Sequence, residues 1–165
     1  LAAVFLGLMT LTMSWLWLRE RQQFQQLAAD YSAQVLACDS VQQQQEKLFA
    51  EASFLRNPGT RSVVMAGTEK APDAEATVFF NPTLGKAYLS VSALPPPPSG
   101  KQYQLWALIG GQPVDMGVFD LPVTVGQFQD IPFVAGAEAF AVTLEDLGGK
   151  PTPNLEALTV ICLVG

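Results

Sequence analysis

Few side chains in this 165-residue sequence can carry chemistry, and their types exclude most of it. There is no histidine, which removes the base of Ser-His-Asp and Cys-His nucleophile systems and the ligand most zinc sites use. Cys38 and Cys162 lie far apart in segments of different character, and no Cys-x-x-Cys occurs. A metal site or a thioredoxin-like pair is therefore not expected, and a single disulfide between them is the lesser alternative. Glu145 and Asp146 are adjacent, so on a strand they point to opposite faces and cannot act as a carboxylate pair. The neighbouring "GGKP" allows an anion-binding turn made of backbone N–H groups and Lys150, with a solvated loop as the plainer account. Tyr103 and Trp106 could stack on a ligand, but core packing is the ordinary fate of such rings. No nucleophile and base can be assembled from these groups. The expectation is a protein without catalytic activity, cofactor or metal.

Charge narrows the partners. Nine Lys and Arg stand against fifteen Asp and Glu, a net charge of −6. No basic cluster exceeds Arg19-Glu20-Arg21, so the electrostatic footprint of nucleic-acid binding is missing. Only 15% of residues are charged while 49% are hydrophobic, which suggests that part of the chain does not face water.

That part is legible at once. "LAAVFLGLMTLTMSWLWL", residues 1–18, carries no charge and as a helix would reach about 27 Å, close to the hydrocarbon thickness of a bilayer. Trp15 and Trp17 precede Arg19 and Arg21, the order expected where a span meets water. A signal peptide would need a basic start and a small-residue cleavage site, and a core helix a polar face. A transmembrane helix over 1–18 is the expectation. The arginines sit on the side that the layout described below puts outside, against the usual enrichment of basic residues inside.

Residues 19–57 read as a helical stalk. Phe24, Tyr31, Cys38, Gln45 and Ala52 form one heptad set, and Leu27, Gln34, Val41, Leu48 and Leu55 lie three residues on. Two readings stand: a coiled coil with a second copy of the chain, or one amphipathic helix packed on the following domain. Gly and Pro are absent between Gly7 and Pro58, and "NPGT" ends the run.

Residues 58–165 change texture. Seven or eight short β-branched or aromatic runs occur with no helix-period segment between them, and Pro95–Pro98 interrupt the ladder. Tyr103, Leu105, Ala107 and Ile109 share one strand face, Gln104, Trp106 and Leu108 the other. Val114, Met116 and Val118 read as one face of the returning strand, with Gly117 leaving room for a ring from a neighbour. The expected fold is mainly β, an antiparallel β-sandwich preceded by the membrane helix and the stalk.

"YQLWALIGGQPVDMGVF" together with "FAVTLEDLGGKPTPN" resembles the C-terminal domain of the anti-sigma-K factor (RskA-type) family. The first motif matches at Tyr103, Gln104, Leu105, Trp106, Gly117 and Phe119, the second at Thr143, Glu145, Gly148, Gly149, Pro151 and Thr152. The chain departs at Asp146, where the family has proline, and at Lys150, where it has serine. The resemblance covers roughly residues 50–165, and a preceding single span fits the same layout. It implies a bacterial inner-membrane regulator whose residues after the span are extracytoplasmic. A segment before Leu1 would bind an extracytoplasmic-function sigma factor, and regulatory proteases would release it. A membrane-tethered binding or structural β module is the alternative. The motif residues are expected to be structural.

Overall fold

The computed structural model describes residues 2–121 and 126–164. Contacts divide the chain into two compact units, residues 1–50 and 51–165. One helix, α1, runs from Ala2 to Arg56. Its length follows from the absence of helix breakers, and it stops where Pro58 forbids continuation. The expected span at 1–18 falls largely on residues whose side chains lie outside the description. Among the described residues no helix is long and apolar enough to cross a membrane.

Eight strands follow: β1 (Arg61–Gly67), β2 (Glu75–Asn81), β3 (Lys86–Ala93), β4 (Lys101–Ile109), β5 (Gln112–Phe119), β6 (Phe128–Ile131), β7 (Ala139–Asp146) and β8 (Leu158–Leu163). They form one antiparallel sheet in the order β5-β4-β7-β8-β1-β2-β3-β6, nearly closed into a barrel. This corrects the expected sandwich. The halves β5-β4-β7-β8 and β1-β2-β3-β6 are joined by a short ladder in which Ala66 and Gly67 pair with Ile161 and Val160. Inward-outward alternation reads the same in a sandwich and a barrel, so strand patterns alone could not reveal this junction.

The interior is filled by Met65, Val78, Leu89, Leu105, Val142 and Val160, all sealed from solvent. Each such side chain contributes about 1.5–3 kcal/mol through burial. Tyr103 also points inward, stacked on Phe119 at 5.9 Å, with its hydroxyl donating to the Pro95 carbonyl at 2.8 Å. That bond secures the start of the proline run.

The last turn of α1 belongs to the β unit. Phe54 is buried and meets Tyr88 edge-on at 4.8 Å. Burial raises the Tyr88 hydroxyl pKa, and Asp130 and Glu51 add to the shift. Asn81, fully buried, donates from Nδ2 to Asn57 Oδ1 and Thr60 Oγ1, each at 3.0 Å. Its Oδ1 accepts from the backbone N–H groups of Thr83 and Leu84. One side chain thus ties the helix-ending turn to the β2–β3 hairpin.

The alternation expected along β5 fails at Gly117. Trp106 pairs with Asp115 and Gln104 with Val118, so Met116 and Gly117 oppose the single residue Leu105. Gly117 has φ +96° and nothing lies within 4 Å of where its Cβ would stand. The glycine admits no ring. It supplies the left-handed backbone of a β-bulge, which turns Met116 and Phe119 inward and leaves Val118 outside.

Candidate functional site

The outer face of β4 and β7 is where the polar motif residues meet. Gln104 pairs with Thr143 and Gln102 with Glu145 across the ladder. Trp106, 1% exposed, donates from Nε1 to Thr143 Oγ1 at 2.9 Å. The Thr143 hydroxyl donates in turn to Glu145 Oε1 at 2.6 Å, which also accepts the backbone N–H of Asn154 at 2.8 Å. An indole, a hydroxyl and a carboxylate so form a relay that ends on the loop between β7 and β8.

Gln104 grips the same loop from the other side. Its Nε2 donates to Asp115 Oδ1 at 2.8 Å and to the Lys150 carbonyl at 2.9 Å, while its Oε1 accepts the Lys150 N–H at 2.8 Å. The side chain thereby pairs with a peptide group as a neighbouring strand would. Asp115 Oδ1 also accepts the Gly117 N–H at 2.8 Å, which fixes the bulge. Gly149 has φ +78°, and a Cβ there would stand 2.7 Å from Val118 Cγ1 and 2.8 Å from Gln104 Oε1. Only glycine allows the loop to lie this close. Gly148 contributes its N–H to Gln102 Oε1 at 3.3 Å.

Asp146 and Lys150 face each other across this turn. Asp146 accepts from Lys150 at 3.0 Å and from Lys101 at 2.6 Å. Hydrogen bonds from Lys101 and then Lys150 lower the Asp146 carboxyl pKa to about 2, and Asp146 raises that of the Lys150 ammonium. Lys150 is therefore engaged by a carboxylate, and its backbone groups by Gln104. This overturns the anion-binding turn, while Leu147, Pro151, Thr152 and Leu155 stay exposed, as the solvated-loop reading expects. The segment from Leu147 to Ala157 is a strap fastened across the sheet.

Gln104, Trp106, Gly117, Thr143, Glu145, Gly148 and Gly149 all serve this fastening. Tyr103, Leu105 and Phe119 instead fill the interior. Pro151 and Thr152 lie exposed on the strap. Sequence reading missed Asp115, Gln102, Lys101 and Asn154. For Asp115 the signal was its place two residues before a glycine, the spacing at which an Asx side chain caps a turn.

An apolar cavity of about 390 Å³ lies against this face, lined by Trp106, Leu108, Pro113, Thr143, Leu155 and Ile161 among others. Glu145 is 1% exposed, and its Oε2 is buried without a hydrogen-bond partner. Among the described residues no group of three or more His, Cys, Asp or Glu could hold a metal ion. Both cysteines are free thiols, and burial raises the Cys162 thiol pKa.

The family model described as anti-sigma-K factor rskA, C-terminal, matches residues 1–157. The chain belongs to the anti-sigma-K factor RskA C-terminal family. In this RskA C-terminal chain Gln104, Thr143, Glu145 and Gly149 fasten the strap to the sheet. The chain is also similar to an uncharacterized protein in the phr 5'region of Streptomyces griseus, 27% identical over 123 residues. That match covers 74% of this chain and 49% of the relative, so the chain spans about half the relative's length. No solved structure matches.

Proposed function

We propose that this chain is the anchoring and sensing part of a membrane-bound anti-sigma factor. The observation that carries the reading is the family match over residues 1–157. A site whose polar groups are spent on holding a loop supports a regulatory rather than catalytic role. In this reading residues 1–18 cross the bacterial inner membrane once, and residues 19–57 form a stalk outside it. Arg19 and Arg21 stand 5.3 Å over the rings of Trp15 and Trp17, an arrangement suited to a membrane–water boundary. The sigma factor is an extracytoplasmic-function type, bound by a segment preceding Leu1. A first protease cuts within residues 19–60, a second within the membrane, and the β unit shields the first cut until a signal arrives.

The test uses the full-length protein with its sigma factor and a sigma-dependent reporter. Deleting residues 61–165 is expected to raise cleavage and reporter output without a stimulus. An intact inhibitor and a silent reporter would refute the shield. Orientation is checked by labelling Cys38, which is exposed, with a membrane-impermeant thiol reagent. Labelling in intact cells is expected, and labelling only after lysis would reverse the topology. A second reading, a tethered binding module, draws support from the cavity beside Trp106 and the unpartnered Glu145 oxygen.

A further inference from the structure

We infer that α1 pairs with α1 of a second copy as a parallel, in-register coiled coil centred on residues 31–48. The heptad positions in this stretch are Tyr31, Cys38 and Gln45, with Gln34, Val41 and Leu48 three residues on. The helix runs through all of them without interruption. Tyr31 is 70% exposed, Val41 55% and Leu48 57%. Cys38, Gln34 and Gln45 are exposed as well. Among the described residues the side chains of this seam are exposed, and three-four spacing held over consecutive heptads is the pattern that another helix of the same repeat fills.

Two features choose a second copy over other occupants. First, Gln34 and Gln45 would be buried without partners against a lipid or a flat apolar sheet. Across a two-fold axis parallel to the helices each meets itself, and a primary amide both donates and accepts. Second, the charges between Tyr31 and Leu48 are Asp39, Glu46 and Lys47, all on heptad positions facing away from the seam. Cys38 then faces Cys38 of the second copy within a seam layer, where two Cβ atoms can come close enough for a disulfide.

The inference is independent of what the β unit senses. It is tested with the full chain in detergent micelles under mild oxidant, read on non-reducing gels. Wild type and Cys162→Ser should give disulfide-linked dimer, and Cys38→Ser should lose it. In the Cys38→Ser background, Val41→Cys on the seam should restore the link, whereas Gln43→Cys on the outer face should not. Equal linking at 41 and 43 would reveal random collision and overturn the proposal, as would a dimer that depends on Cys162. Sedimentation gives a second readout: a dimer for wild type, reduced to a monomer by Val41→Lys with Leu48→Lys while the β-sheet circular dichroism is unchanged. A wild-type monomer at every concentration would equally overturn the pairing.

Discussion

Gln104 spends both N–H donors and its carbonyl on neighbours, so removing the amide breaks three hydrogen bonds at once. Gln104→Leu keeps the volume and should lower stability by about 2–3 kcal/mol, measured by denaturant unfolding. Trp106→Ala should cost more, about 3–5 kcal/mol, because it opens a cavity and leaves Thr143 without its donor. An unchanged unfolding midpoint would reopen ligand stacking for this ring. Glu145 separates charge from geometry. Glu145→Ala leaves the Thr143 hydroxyl and the Asn154 N–H without an acceptor and should cost about 2–3 kcal/mol, whereas Glu145→Gln retains a carbonyl for both and should cost about 1 kcal/mol or less. Asp146 supplies a pH signature. Its carboxyl pKa is lowered from 3.8 to about 2, so its contribution is whole above about pH 4 and is lost as pH falls through the folded value. Hydrogen exchange at the Lys150 amide should accelerate over that interval in wild type, and the acceleration should be absent in Asp146→Asn.

At the scale of elements, the strap and the bulge on β5 depend on single glycines for different reasons. Gly149 is limited by space as well as by backbone, since its missing Cβ is where Val118 and Gln104 press. Gly149→Ala should loosen the strap while leaving the barrel intact. Limited proteolysis is expected to cut between residues 147 and 157 in the variant and not in wild type, with the far-ultraviolet spectrum preserved. Gly117 is limited by backbone alone, because open space surrounds its absent Cβ. Gly117→Ala should therefore cost about 1–2 kcal/mol, the penalty of a left-handed L-residue. It acts by straightening the bulge that turns Met116 and Phe119 inward. Equal susceptibility of the two variants to strap cleavage would mean that the bulge and strap are one cooperative unit.

At the scale of the molecule, residues 51–165 hold their own apolar interior and their own helix end, fastened by Phe54 and Asn81. A chain of residues 51–165 is expected to unfold cooperatively, with a melting temperature within a few degrees of the full chain's. A broad, non-cooperative transition would show that residues 1–50 contribute to its core. The unit is also acidic, with Asp115, Asp120, Asp130 and Glu138 among its carboxylates, so any macromolecule it meets outside the helix should associate more weakly as salt rises if it is basic.

Local chemistry explains what the sequence by itself determined. Absent histidine removes the Ser-His and Cys-His nucleophile systems wherever the chain folds. An unbroken run without Gly or Pro makes a helix up to the residue before Asn57-Pro58. Alternating β-branched and aromatic runs make strands, and all eight occur near where the pattern puts them. The divergence of Glu145 from Asp146 follows from the same period of two, whereas Trp106 lies on the outer face and is buried there. Only the tertiary structure decided that the strands make one nearly closed sheet, because the joining ladder between β1 and β8 spans two residue pairs and leaves no mark on either strand's pattern. It also decided the use of the motif. Gln104, Asp115, Glu145 and Lys150 are polar residues scattered over three segments, and their types fit a solvated surface as well as a fastening. Hydrogen bonds between residues 46 apart in the chain, such as those of Gln104 with Lys150, depend on which strands become neighbours, and neighbourhood is a property of the folded sheet.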